Sequence, residues 1–193
     1  MPTGVALRAV RAQLFDAAER VLLRDGPSGL TSRAVTTEAD CAKGVLHRHF
    51  DDFDGFLAEF VLDRIEKLDE KGLKEAVGTG TVADNLTSAL TAVFESVAVA
   101  IVPLVIFRDE LRARLRREWP AGVPVLTQAA VMIGGYLDAE RAQGRVAADA
   151  DVETLAATLI GATHLLYADR TAPAPEAAQV RKVVETVIGT YLA

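Results

Sequence analysis

The sequence predicts an all-α protein: an N-terminal three-helix domain whose last two helices form a helix-turn-helix, followed by a larger helical region. Three observations carry this expectation. No strand-length run alternates polar and apolar residues. Apolar residues recur instead at spacings of three and four along most of the chain. The breaks between these runs hold Gly, Pro or a capping Thr or Asp, the residues that end and begin helices.

In chain order, Leu7, Val10, Leu14, Ala17 and Val21 form one stripe of a helix from about Val5 to Arg24, ended by DGPSG (Asp25 to Gly29). Thr31 is the expected N-cap of a short helix, Ser32 to about Ala39, with Val35 and Ala39 turned inward. Asp40 and Cys41 leave room only for a tight turn before a third helix, Ala42 to about His49, so the two short helices must cross steeply. Phe53, Phe56, Phe60 and Leu68 mark a longer helix from Asp52 to about Lys74, and VGTGT (Val77 to Thr81) reads as a hinge or domain boundary.

Helices are expected next over Val82 to Ala100, Pro103 to Glu118, Pro124 to Gln143, Asp151 to Ala168 and Pro175 to Tyr191. Pro103 lacks an amide proton and should kink or break the chain there. Trp119-Pro120-Ala121-Gly122 and Gln143-Gly144 are stops, and Asp149 or Asp151 is a cap. The last two helices carry apolar stripes, Leu155, Leu159, Ala162 and Leu166 on one and Val180, Val184, Val187 and Tyr191 on the other. Ala156, Ala157 and Gly161 would admit close helix contact, which suits a core or a subunit interface.

The bulk composition narrows the class further. A chain of 193 residues, half of them apolar, can bury a core without staples, and the single cysteine, Cys41, excludes an intramolecular disulfide. Cys41 itself reads as a small buried hydrophobe at the helix-helix turn. The most apolar run, Val97 to Phe107, is eleven residues long, short of the roughly 18 to 20 that cross a bilayer. With no secretory signal in view, a cytoplasmic protein with no membrane partner is expected. The net charge of −6 is unevenly spread. Residues 1–50 hold seven Lys/Arg against five Asp/Glu, for a net +2, and the remainder hold 14 against 22, for a net −8. Any affinity for phosphate therefore sits at the N-terminus.

Leu14 to Phe56 carries the most specific pattern in the chain. Ala17 and Ala18 lie in the first helix, Gly26 in the turn, and Thr31, Val35 and Ala39 along the second helix. Lys43, Gly44, Leu46, His49 and Phe50 follow in the third, and Phe56 opens the next apolar stripe. This segment resembles the N-terminal domain of the TetR (tetracycline-repressor-like) family of bacterial transcriptional regulators. The resemblance is sharp over about the first 60 residues. Beyond them it rests on length, helical content and the D-x-E-x-x-A-x-x-L-I-G run from Asp151 to Gly161.

The resemblance implies a helix-turn-helix DNA-binding domain over residues 1–51. A helical ligand-binding and dimerisation domain would span 52–193, joined through the fourth helix. Leu46 and Phe50, four apart, give the third helix an inner face, which leaves Lys43, His47 and Arg48 outward for phosphates or base edges. Gly44 would let the helix backbone approach DNA closely. The expected DNA-binding set is Thr31, Ser32, Arg33, Ala42, Lys43, Gly44, Val45, His47, Arg48 and His49. His49 is equally readable as a core histidine beside Phe50.

Several positions depart from the family pattern. Asp40 replaces Gly in the turn, which Asp tolerates because it visits the left-handed region readily. Thr36 stands where Ala is usual, Ala42 replaces a capping Ser, and His47 replaces a Tyr while keeping a donor. Phe53 takes the place of a phosphate-binding Lys, amid Asp51, Asp52 and Asp54. These carboxylates suit a helix N-terminus but repel a nearby phosphate. The lost contact should flatten the salt dependence of DNA binding by about one unit.

No phosphate loop, metal spacing, HExxH or nucleophile elbow is present, so neither a catalytic set, a metal nor a cofactor is expected. The arginines of RDELRARLRRE (Arg108 to Glu118) read as a solvated helix face partnered by Asp109, Glu110 and Glu118, or as an anion site. The family implies an effector pocket in the C-terminal region, for which Phe94, Phe107, Trp119, Met132, Tyr136 and His164 are the candidate linings. Simple core packing would account for the same residues. The implied partners are a palindromic double-stranded DNA operator, an apolar or amphipathic small-molecule effector, and a second copy paired through the C-terminal helices. The implied function is a repressor released by its effector. A second reading is a ligand-binding or interaction module of the same shape whose DNA contacts have weakened or been lost.

Overall fold

The computed structural model describes residues 4–68, 70–118, 122–168 and 173–192. Among the described residues the chain is all helical apart from one isolated antiparallel bridge between Val146 and Leu192. The helices are α1 (Gly4–Gly29), α2 (Ser32–Glu38), α3 (Val45–His49), α4 (Phe53–Glu66), α5 (Glu70–Glu75), α6 (Val82–Glu95), α7 (Ala98–Phe107), α8 (Asp109–Leu115), α9 (Pro124–Ala142), α10 (Val152–Tyr167) and α11 (Ala177–Ile188). No single helix among the described residues is long and apolar enough to cross a membrane. The chain forms two compact units, residues 1–66 with 100–124, and residues 67–99 with 125–193.

In the first unit, α1 leaves helical geometry at Gly26, whose φ of 71° belongs to the left-handed region where a side chain is strained. Leu14, Ala17, Ala18, Val21 and Leu22 are buried along its inner face. They meet Leu30, Val35, Leu46, Phe56 and Phe60, all at most 1% exposed. Phe15, Phe50 and Phe56 close the aromatic part of this core. Phe50 stands edge-on to Phe56 at 4.9 Å between ring centroids, a geometry the ring quadrupoles favour. Arg64 of α4 fastens α4 to α1 through Asp16 at 2.8 Å and Glu19 at 2.5 Å, and also pairs with Asp63.

The second unit is built from α5, α6, α9, α10 and α11, with α11 packed on both α6 and α10. Thr81 and Asp151 are its side-chain caps, accepting from Asp84 N at 3.0 Å and Thr154 N at 3.2 Å. The segment Val77–Thr81 lies inside this unit and is not the domain boundary its glycines suggest. Polar contacts hold it in place. Gly78 N donates to the fully buried Glu140, Asn85 Nδ2 donates to Thr79 O, and Arg145 donates to Gly80 O at 2.7 Å. Arg145 also forms the ion pair of Glu140, with Nε to Oε2 at 3.2 Å. Asn85 Nδ2 also donates to the Tyr136 hydroxyl at 2.9 Å, and burial pushes the Tyr136 hydroxyl pKa up to about 12.

Several helix limits differ from expectation, and the run expected over Pro103 to Glu118 is divided at Arg108 between α7 and α8. The run expected from Asp52 to Lys74 is interrupted at Lys67 and Leu68, after α4 and before α5. The run expected from Val82 to Ala100 stops at Glu95, because Ser96 Oγ donates to Val93 O and accepts from Ala98 N, a side-chain turn that competes with the helix. The chain also does not break at Pro103, which lies inside α7. One missing amide bond is outweighed there by the burial of Ile101, Val102, Leu104 and Val105. The expected stop at Trp119 to Ala121 lies outside the described residues.

Candidate nucleic-acid interface

The two short helices are set by hydrogen bonds that the sequence itself supplies. Thr31, with extended backbone, accepts Ala34 N on its Oγ1 at 3.1 Å and starts α2. Thr36 is buried and donates its hydroxyl to Ser32 O at 3.0 Å and Arg33 O at 3.2 Å, so the polar atom that replaces Ala is satisfied inside its own helix. Asp40 sits at φ 49°, and Cys41 N donates to Thr36 O at 2.9 Å to close the turn. Gln13 Nε2 reaches from α1 to the Ala39 carbonyl at 2.8 Å and ties the turn to the first helix. Cys41 is half-buried, its thiol directed to Ala39 O.

The third helix is shorter than expected. Ala42 has no hydroxyl to cap it and Gly44 has no side chain, so residues 42–44 form a turn and α3 begins at Val45. Its inner face is Leu46, 0% exposed, and Phe50 follows at 5%. Phe50 N donates to Leu46 O at 3.0 Å, which closes the helix.

The structure places Thr31, Arg33, Ala42, Lys43, Gly44, His47 and Arg48 on the exposed surface of this motif, with Ser32, Val45 and His49 half-buried. The His49 carbonyl accepts Arg11 Nη1 at 3.0 Å, and that guanidinium lies 4.4 Å from the Phe50 ring centroid. Gly44 has an ordinary φ of −83°, and a Cβ built on it would meet nothing within 4 Å. Neither backbone conformation nor internal packing therefore calls for glycine at 44.

Charge is divided sharply across this surface. Arg11 pairs with Glu59, Arg20 and Arg24 with Glu38 at 2.7 and 2.8 Å, and Arg24 with Asp25. The Glu38 carboxyl is held below the usual range by its hydrogen bonds from Arg20 and Arg24. Among the described residues of the first 66, the cations without an ion-pair partner are Arg8, Arg33, Lys43 and Arg48.

The acidic turn that follows is not the repulsive patch its composition suggests. Asp52 caps α4 by accepting Gly55 N at 2.8 Å, and this amide, followed by Arg114, lowers its pKa. Asp52 pairs with Arg114 and Asp54 with Arg108, so two arginines of the Arg108 to Glu118 cluster have their partners on α4. Arg112 alone among those with a described pair takes the neighbour expected for it, Asp109. Phe53 is half-buried, stacked on Phe56 at 5.7 Å.

Residues 14–60 match the model for bacterial regulatory proteins of the tetR family. That likeness covers the helix-turn-helix and the start of α4. No curated protein matches the chain significantly. Solved structures of similar fold include a TetR transcription regulator from Haloarcula marismortui, at 17% identity over 96% of this chain and 100% of that one, with a TM-score of 0.71. FadR from Bacillus subtilis in complex with stearoyl-CoA matches at 17% identity, over 92% and 97% of the two chains, with a TM-score of 0.68. The fatty acid degradation regulator FadR from Bacillus halodurans matches at 16% identity, over 93% and 95%, with a TM-score of 0.72. At these identities the likeness is one of fold: a TetR-type helix-turn-helix domain followed by a helical C-terminal domain.

The second unit holds a partly open cleft of about 450 Å³. Leu68, Leu73, Ala89, Ala92, Val93 and Met132 line it, with Lys67, Asn85 and Ser88 as polar groups. Of the expected effector residues only Met132 borders it. Phe94 is buried instead against Tyr167, at 5.5 Å, and His164, at 6.1 Å. Tyr136 is committed to Asn85. Phe107 belongs to the first unit and is 81% exposed, so it lines no part of this cleft, and Trp119 lies outside the described residues. The signal that marks the cleft is small residues: Ser88, Ala89 and Ala92 at helical spacing on α6, with Ser96 just past its end, leave volume unfilled.

Proposed function

We propose that the protein is a DNA-binding transcriptional regulator that acts as a homodimer and represses until a small molecule releases it from its operator. The observation that carries this is the placement of unpaired charge. Arg33, Lys43 and Arg48 stand exposed and without carboxylate partners on the helix-turn-helix, while Arg11, Arg20 and Arg24 of α1 are engaged within the fold. Free surface cations on a motif of this shape suit phosphate and base contacts. Gly44 supports the same reading, since its missing side chain serves no purpose inside the chain and would admit DNA closely.

In this reading residues 1–51 bind DNA through Thr31, Ser32, Arg33, Ala42, Lys43, Gly44, Val45, His47, Arg48 and His49, and residues 52–193 regulate. A two-fold dimer would set its two recognition helices about one DNA turn apart, roughly 34 Å or a multiple of it, and so read a palindrome. The exposed stripe of Ala157, Gly161 and Leu165 on α10, with Leu165 77% exposed, supports pairing through the C-terminal helices. The apolar cleft suits an apolar or amphipathic effector, whose binding would shift the fourth helix and change the separation of the recognition helices.

Fluorescence anisotropy with duplex DNA from the gene's own upstream region tests the proposal. Lys43→Ala is expected to weaken binding while size-exclusion chromatography still shows a dimer. Unchanged affinity would remove Lys43 from the interface, and absence of any specific binding by the wild type at low salt would favour a module that no longer reads DNA.

A further inference from the structure

The cations that meet the acidic turn come from far along the chain. Arg114 Nη2 pairs with Asp52 Oδ2 at 2.5 Å, and Arg108 donates Nε to Asp54 Oδ1 at 3.0 Å with Nη2 at 2.9 Å from the same oxygen. These contacts span 62 and 54 residues. The Arg108 guanidinium also lies 5.5 Å from the Phe53 ring centroid, over the residue that stands where the family pattern has its phosphate-binding lysine. Gly55 completes the seat, because a Cβ there would stand 3.1 Å from Arg114 Nη1 and 3.4 Å from Asp52 Oδ1.

We propose that Arg108 and Arg114, although outside the helix-turn-helix segment, set the affinity for DNA by neutralising Asp54 and Asp52 at the first turn of α4. The inference rests on the DNA-binding reading above. Asp51 to Asp54 begin three residues after Arg48, so an uncompensated carboxylate there would oppose the attraction of this surface for any phosphate that comes within a screening length, about 8 Å. With both arginines in place only Asp51 of the three carboxylates is left without a cation. Each guanidinium also has five N–H donors, more than its carboxylate uses, so neutralisation does not exhaust it. The cation that Phe53 cannot provide locally is thus returned to the same turn by a different helix.

The test is a charge cycle on the full-length protein, read by anisotropy on the upstream DNA at two salt concentrations, with thermal melts to follow folding. Arg108→Gln and Arg114→Gln should each weaken binding about three- to tenfold at low salt and less at high salt. Adding Asp54→Asn and Asp52→Asn to the double arginine variant should bring affinity back to within about twofold of the wild type, because the repulsion is then gone. Arg108→Lys with Arg114→Lys should keep most of the affinity even if the melting temperature falls, which covers the case in which the glutamine variants fold poorly. Unchanged binding by the double glutamine variant overturns the inference, as does a loss that the asparagine substitutions fail to rescue. Wild-type protein that binds no DNA overturns the DNA-binding reading and this inference together. Wild-type binding with an unaffected double variant overturns this inference alone.

Discussion

Lys43 to Arg48 and Asp51 to Asp54 are near neighbours in the chain, and the fold treats their charge in opposite ways. In the first segment Lys43 and Arg48 are exposed and unpaired. In the second, Asp52 and Asp54 are matched by arginines more than 50 residues away. The basic segment keeps charge available to an outside partner, whereas the acidic one spends its charge on holding α8 to α4 and capping α4. The composition of a segment therefore says little about the field it presents. What decides is whether each charge has a partner inside the fold, and most cations of α1 do.

The largest expected effect comes from the support beneath the basic segment. Leu46 is fully buried, so Leu46→Ala should cost about 2–5 kcal/mol in a denaturant titration and lose DNA binding through loss of the domain. If DNA binding vanished without loss of stability, Leu46 would be acting at the surface and the division between core and reading face would fail. Gly44→Ala separates the two roles in the other direction. Its φ is ordinary and its surroundings open, so stability should hold or rise by about 0.5–1 kcal/mol, while affinity for DNA should fall if the backbone approaches closely. Affinity that rose or stayed level would leave Gly44 without a role.

The smallest effect concerns acidity and bears on the paired side of the comparison. Glu38, held down by Arg20 and Arg24, and Asp52, held down first by the Gly55 amide and then by Arg114, have folded pKa values below those of the unfolded chain. The folded state then binds fewer protons than the unfolded state. Their stabilisation is present above the ordinary carboxylate range and is lost as pH falls through that range toward the depressed values. Melting temperature should accordingly be flat from neutrality to about pH 5 and decline below it. A melting temperature that rose on acidification through that range would mean that these pairs do not stabilise the fold.

Much of the first unit was legible because its signals are local. Thr31 as a cap, Gly26 as a stop, Asp40 in the left-handed turn, and Leu46 with Phe50 as an inner face all depend on residues a few positions apart. The third helix is shorter than its apolar spacing predicts, because Ala42 supplies no cap and residues 42–44 stay in the turn. The C-terminal region is less legible. Large aromatic residues such as Phe94 and Tyr136 fill space, whereas a cleft is written in the residues that leave space empty. Likewise the glycines of VGTGT looked like a hinge, and nothing local disclosed that Glu140, some sixty residues on, would hold Gly78.

The sequence by itself determined the all-helical class, the caps at Thr31 and Asp151, and the helix-turn-helix with its basic outer edge, because apolar spacing and capping chemistry act over one or two turns of chain. Only the tertiary structure decided which charges remain free. Asp52 and Asp54 could have faced phosphate unopposed, and no pattern within ten residues of them reveals otherwise. Their neutralisation depends on α8 packing against α4, and such a contact is set by the shape of a shared core rather than by the residues on either side of the charge.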